Sequence, residues 1–125
     1  MRLLPILSAY MELIRFGFHV RHGNFAALHG AVRNCRVHTG TTPCTSLADL
    51  CRAVDIACIW YWRKVLCLQR SAAATCLLRR HGLPAELVIG TQQVPFTAHA
   101  WVEIGGQVVT DRPYMHEMYV VLERI

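Results

Sequence analysis

The chain changes its pattern at Gly82, and that change limits the architectures open to it. Upstream, apolar residues recur at helical spacing; downstream they fall in short runs separated by glycines. Residues 67–81, CLQRSAAATCLLRRH, form the clearest helix. Three consecutive alanines favour it. Arg79, Arg80 and His81 suit the negative end of its dipole, and Gly82 followed by Pro84 closes it. Leu47, Leu50, Cys51, Val54, Cys58 and Trp62 trace an earlier helix that starts at a Ser46 or Thr45 cap. Residues 24–33 read as a short helix capped by Asn24, and 3–17 as an apolar helix with Pro5 in its first turn. The intervening residues 38–45 are rich in turn formers and read as a loop. Beyond Gly82, 86–89 is a short apolar run. Residues 98–104 and 107–111 flank Gly105-Gly106 as a hairpin, and 119–122 is a further β-branched run. Helices followed by antiparallel strands predict an α+β domain.

A length of 125 residues fits one domain. It spans 1–125, with 1–40 as a helical N-terminal extension and the core over about 46–125. Apolar residues make 54% of the chain and charged residues 17%, which excludes a disordered segment and hints at surface covered by a partner. The net charge of +5 is spread along the chain. No basic run is interleaved with aromatics, so a nucleic-acid partner is not expected, while an acidic peptide or protein partner is compatible with the charge. Trp60, Tyr61 and Trp62 read as packing residues, with a substrate groove as the alternative.

Six cysteines are read as reduced thiols. Cys44, Cys51 and Cys58 recur every seven residues on one helical face, where cysteine serves as a small hydrophobe. No CxxC or HxxxH pair occurs, so neither a metal nor a cofactor is expected. The N-terminal MRLLPILSAYMELIRFGF has an apolar stretch but no small-residue cleavage site after it. Glu12 and Arg15 interrupt it before the ~18 residues a membrane span needs. A helix packed on the domain, on a partner or on a membrane surface is the expectation, with a cytoplasmic location.

A cysteine attacks as thiolate, and a helix N-terminus or a neighbouring imidazolium favours that form. Cys67 is the one cysteine expected at the head of a well-marked helix, where unpaired N–H groups stabilise negative charge and can hold an oxyanion. Among seven histidines, His81 stands at the far end of the same helix, about 20 Å away. His99 lies mid-strand between Ala98 and Ala100, small neighbours that leave room for substrate. A catalytic imidazole needs an acceptor to fix its tautomer, and Asp111 lies across the hairpin. A three-residue loop sets His99 opposite Asp111, Trp101 opposite Val109 and Glu103 opposite Gln107. A two-residue Gly-Gly turn puts Asp111 on the other face unless a bulge restores phase. From spacing alone, His99 serves equally as a structural strand residue, and Asp111 simply ends the strand beside Pro113.

CLQRS at 67–71, GLPAELVIG at 82–90 and PFTAHAWVE at 95–103, in this order and at these intervals, resemble the lasso-peptide leader peptidases, a branch of the transglutaminase-like, papain-like cysteine protease superfamily. The resemblance covers roughly residues 46–112. It implies a cysteine-bearing helix packed on an antiparallel sheet and a Cys67–His99–Asp111 triad. The implied activity is removal of the leader from a ribosomally made precursor peptide through a thioester. The implied partners are that precursor, a separate leader-binding protein and the lasso cyclase, as in the split form of these systems, in antibiotic biosynthesis. Gln69 and the Trp60–Trp62 cluster are candidates for the second oxyanion donor. Arg70 is expected to pair with an acid and Ser71 to bond within the helix. The same residues are compatible with acyl transfer to an amine, or with a silent module that only holds a peptide.

Overall fold

A computed structural model describes residues 3–38, 46–93, 95–110 and 115–125, the side chain of His116 excepted. The first helix, α1, runs Leu3–Arg21, past the end that spacing predicts. Asn24 accepts from the Ala27 N–H at 3.2 Å and starts α2, Phe25–Asn34. Ser46 accepts from the Asp49 N–H at 3.2 Å and starts α3, Leu47–Trp60. Both bonds satisfy first-turn donors that a helix leaves unpaired; Thr45, the other candidate cap, and Cys44 lie outside the described residues. The fourth helix, α4, is Cys67–Arg80. It closes at Gly82, whose φ is +85°, with Leu83 N–H bonded to Leu78 O (3.0 Å) and Gly82 N–H to Arg79 O (3.1 Å).

The strands β1 (Ala85–Gln93), β2 (Phe96–Ile104), β3 (Gln107–Val108) and β4 (Val120–Arg124) make one antiparallel sheet in the order β3-β2-β1-β4. A one-turn helix, α5 (Met115–Met118), precedes β4 and has no counterpart in the sequence pattern. The predicted α+β class holds: a cysteine-bearing helix is packed on an antiparallel sheet.

The two faces of the sheet differ. Leu87, Ala100 and Val102 point to the helices and share one core with Ala72, Ala73, Leu77 and Leu78 of α4, Leu50 and Val54 of α3, and Leu28 and Val32 of α2. Leu13 and Phe16 of α1 are fully buried in that same core. Residues 1–40, set apart in the sequence as an extension, thus supply two of the helices that cover α4. Their packing explains why α1 accommodates Glu12. The carboxylate is turned inward, 2% exposed, and is held by Arg15 and Arg80. By length and apolar content alone α1 is long enough to cross a membrane, Glu12 and Arg15 included, although Ala9, Leu13 and Phe16 pack within the domain. The opposite sheet face carries a smaller cluster, Val88, Trp101 and Met115, flanked by Val108, Tyr119 and Val121.

The hairpin corrects the expected register. Glu103 pairs with Val108 and Ile104 with Gln107, so the turn has two residues, not three. Gly105 and Gly106 take φ of +58° and +82°, the conformation that a two-residue hairpin turn requires and that side chains resist. Beyond Val108 the ladder becomes irregular. Val109 N–H still donates to Val102 O (2.9 Å), but the Val102 N–H goes to Thr110 Oγ1 (3.1 Å) and Cys51 Sγ donates to Val109 O (3.7 Å).

Candidate active site

Cys67 is the first residue of α4, and the residue at the cap position is Leu66. Leu66 has suitable extended backbone, φ −81° and ψ 158°, but its side chain carries no acceptor, so no side-chain cap bond forms. The first bond of the helix runs from Arg70 N–H to Leu66 O at 2.9 Å. The N–H groups of Cys67, Leu68 and Gln69 precede it and point out of the helix end. Cys67 is half-buried, and the described cysteines are free thiols. Burial pushes the thiols of Cys51, Cys58 and Cys76 up. The Asp55 carboxylate adds to the first two, and Arg70 opposes it. A thiol so shifted is a poor source of thiolate at neutral pH, which narrows the nucleophile candidates.

Two bonds set where Cys67 stands against the sheet. One turn into α4, the Ser71 hydroxyl leaves its helix and donates to Ala100 O at 3.0 Å. The bond within the helix is made instead by Thr75, whose hydroxyl donates to Ser71 O at 2.8 Å. Near the other end Arg79 Nε donates to Ala85 O at 2.8 Å, and Ala85 is paired with Ile104. Helix α4 therefore runs alongside β2 in the same direction. Stepping back from Ser71 to Cys67 covers about 6 Å of helix, or about two residues of strand. Cys67 thus stands level with Ala98 and His99.

His99 is half-buried on β2 opposite Gly90. Its ring stacks on Trp101 (centroids 6.1 Å apart, planes at 28°) and on Tyr119 (5.4 Å, 27°). Trp101 is fully buried; its indole N–H donates to Glu103 Oε2 at 2.7 Å, and Glu103 Oε1 accepts from Arg124 at 2.6 Å. A Cβ at Gly90 would lie 2.6 Å from the Trp101 ring, so glycine lets that ring lie across β1. His99, Trp101 and Glu103 alternate along one strand and share one face. That period-2 signal lies within the HAWVE segment and marks Trp101 and Glu103 as supports of the imidazole, which motif matching alone overlooks. The face is the one turned away from α4. Cys67 and His99 therefore reach the same level of β2, the thiol from the helical layer and the imidazole from the aromatic cluster. Among the described residues β3 pairs with β2 only at Glu103 and Ile104, so the edge of β2 beside His99 carries no described strand.

Asp111 and Pro113 lie outside the described residues. Gln69 is only 4% exposed, and its amide donates to Leu13 O at 2.8 Å; it ties α4 to α1, which corrects its candidacy as an oxyanion donor. Arg70 pairs with Asp55 as expected. Trp60 and Trp62 are 76% and 62% exposed, so the packing role read for them falls and the groove alternative stays open; Tyr61, tilted against Tyr10 with ring centroids 5.5 Å apart, does pack on the core. His81 Nδ1 lies 2.9 Å from Leu77 O at the far end of α4. Among the described residues no cluster of three or more His, Cys, Asp or Glu is arranged to hold a metal.

A helix that begins with a cysteine and packs on an antiparallel sheet is the arrangement that the sequence resemblance implies. Residues 12–124 match the transglutaminase-like superfamily, and the chain belongs to it. Over 59 residues it is 42% identical to the microcin J25-processing protein McjB of Escherichia coli. That match covers 47% of this chain and 28% of McjB, so less than a third of the relative's length is represented. No solved structure matches the chain. The two matches agree with the resemblance carried by CLQRS, GLPAELVIG and PFTAHAWVE.

Proposed function

We propose that the protein is a cysteine peptidase that removes the leader from a ribosomally synthesised lasso-peptide precursor, working with a separate leader-binding protein ahead of the cyclase. The observation that carries this reading is the position of Cys67, at the uncapped head of α4 and level with His99 on β2. In the proposed reaction the Cys67 thiolate attacks the carbonyl carbon of the last leader residue. The oxyanion is held by first-turn N–H groups of α4, that of Cys67 foremost. His99, oriented by Asp111, protonates the departing amine of the core peptide as the C–N bond breaks. It then takes a proton from water, which hydrolyses the thioester and frees the thiol. This scheme requires the imidazole to meet the sulfur around the edge of β2 beside His99.

The test is mass spectrometry of a cognate precursor incubated with the protein and the leader-binding partner. Cleavage to free leader acid and core peptide is the expected result, and Cys67→Ala lowers the rate by roughly four powers of ten or more, as for groups that act as a unit. His99→Ala produces a loss of similar order, and Asp111→Asn one of about two to four powers of ten. Unchanged cleavage by a folded Cys67→Ala variant would remove Cys67 from the mechanism and with it this reading.

A further inference from the structure

Beside the head of α4 lies a cleft of about 350 Å³, bounded by the second half of α1 and by residues 61–66. Its apolar wall is Ile14 and Phe18 on one side and Trp62 and Leu66 on the other. Phe18 and Trp62 are 63% and 62% exposed, which is unusual for rings that have a core within reach. Gly17 lets the walls stand this close. A Cβ there would come within 2.6 Å of Gln69 Nε2 and 2.7 Å of the Tyr61 hydroxyl, and Gln69 is locked to Leu13 O. The cleft is also charged in one sense only. Arg21, Arg63 and Lys64 line it, and no carboxylate does. Among the described residues these three cations make no ion pair, and the Arg63 guanidinium lies 4.5 Å from the Trp62 ring centroid. Leu66, the residue before Cys67, and Gln69, two residues after it, also line the cleft, so the cleft lies beside the helix end that carries the candidate nucleophile.

From this arrangement we infer that the cleft is the specificity subsite for the peptide substrate, and that it takes a segment with a bulky apolar residue next to acidic ones. The apolar side chain lies between Phe18 and Trp62, and the carboxylates face Arg21, Arg63 and Lys64. A neutral or basic segment leaves three like charges around a half-closed apolar wall without compensation, which discriminates against it. The inference rests on the peptidase reading for its substrate, but the binding it describes is measurable without cleavage.

The experiment uses the full chain carrying Cys67→Ala and three fluorescein-labelled decapeptides. Each contains a Leu-Phe pair followed by three Glu, three Gln or three Lys, and binding is read by fluorescence anisotropy at low and moderate salt. The acidic peptide is expected to bind at least tenfold more tightly than the Gln peptide, with the advantage shrinking as salt rises. Adding Arg63→Glu and Lys64→Glu is expected to weaken the acidic peptide about tenfold and to improve the Lys peptide. Adding Trp62→Ala weakens all three. Circular dichroism checks that these exposed substitutions leave the fold intact. Equal affinity for the three peptides, or indifference to the double charge reversal, overturns the inference, even if the Cys67 protein cleaves its precursor. Charge-selective binding by a protein that cleaves no precursor leaves the cleft standing and removes the peptidase reading.

Discussion

The two ends of α4 are built to opposite specifications. At the C-terminal end nearly every polar group is engaged. Arg79 donates to four backbone oxygens, of Ala85 (2.8 Å), Val32 (2.7 Å), Cys35 (3.0 Å) and Ile125 (2.8 Å), and so joins α2, β1 and the end of β4. Its own carbonyl accepts from the His38 N–H at 2.8 Å, and Gly82 completes the stop. At the N-terminal end a leucine sits where an oxygen-bearing cap is preferred, and its side chain leaves the first-turn donors uncapped beside a half-buried thiol. One end stabilises the fold. The other forgoes a stabilising cap, and in the proposed reaction its N–H groups hold the charge that develops on the substrate.

Four experiments break or sharpen this contrast. The largest effect is expected from Arg79→Met, which leaves several carbonyls without their charged donor. Unfolding in urea is expected to show a loss of roughly 3–5 kcal/mol. A loss under about 1 kcal/mol would show that those carbonyls find other partners. Next, Gly90→Ala places a methyl against Trp101 and displaces the ring on which His99 stacks. Overpacking of this kind costs roughly 1–3 kcal/mol, and precursor cleavage is expected to fall by more than the loss of folded protein explains.

Leu66→Ser probes the open end directly. Serine in that extended backbone caps α4 and is expected to raise stability by about 0.5–1 kcal/mol. The new hydroxyl competes for the same N–H groups, so kcat falls while Tm rises; a rise in both would show that those donors do not face the oxyanion. The smallest effect concerns Cys76, buried in the middle of the same helix. Burial pushes its thiol up, so at alkaline pH the folded chain keeps a proton that the unfolded chain has released. The associated stability is whole below about pH 8.5, the ordinary thiol range, and falls as pH rises above it. Cys76→Ala is expected to flatten the alkaline limb of a stability profile measured by denaturant titration.

Much of the fold was legible because its signals are local. Asn24, Ser46 and Gly82 mark helix ends through bonds made within a turn or two of themselves. The Gly105-Gly106 pair likewise announces the hairpin. Its length was not legible from the mechanism, since the turn follows from what two positive-φ glycines favour and not from where Asp111 is wanted. The candidate site was legible in Cys67 and His99, each of a type and position that invites chemistry. The supports were harder to read. Trp101 and Glu103 are ordinary strand residues until their indole–carboxylate bond is seen, and Gln69 resembles a polar group near a nucleophile until its amide is found on the backbone of α1. The Trp60–Trp62 triplet misleads because aromatic residues usually pack, whereas here Tyr61 packs and both tryptophans face outward.

By itself the sequence determined the course of α4 from Cys67 to Gly82, the helices-then-strands order and the alternation that puts His99, Trp101 and Glu103 on one side of β2. These depend on backbone propensity, capping and the pleat, which act over a few residues. Only the tertiary structure decided that α1 is half core and half exposed apolar stripe, that Glu12 is folded inward between two arginines, and that Cys67 stands level with His99 but reaches β2 from the other face. Those outcomes depend on which surfaces meet across the chain, and no local pattern encodes which of two faces a neighbour will cover.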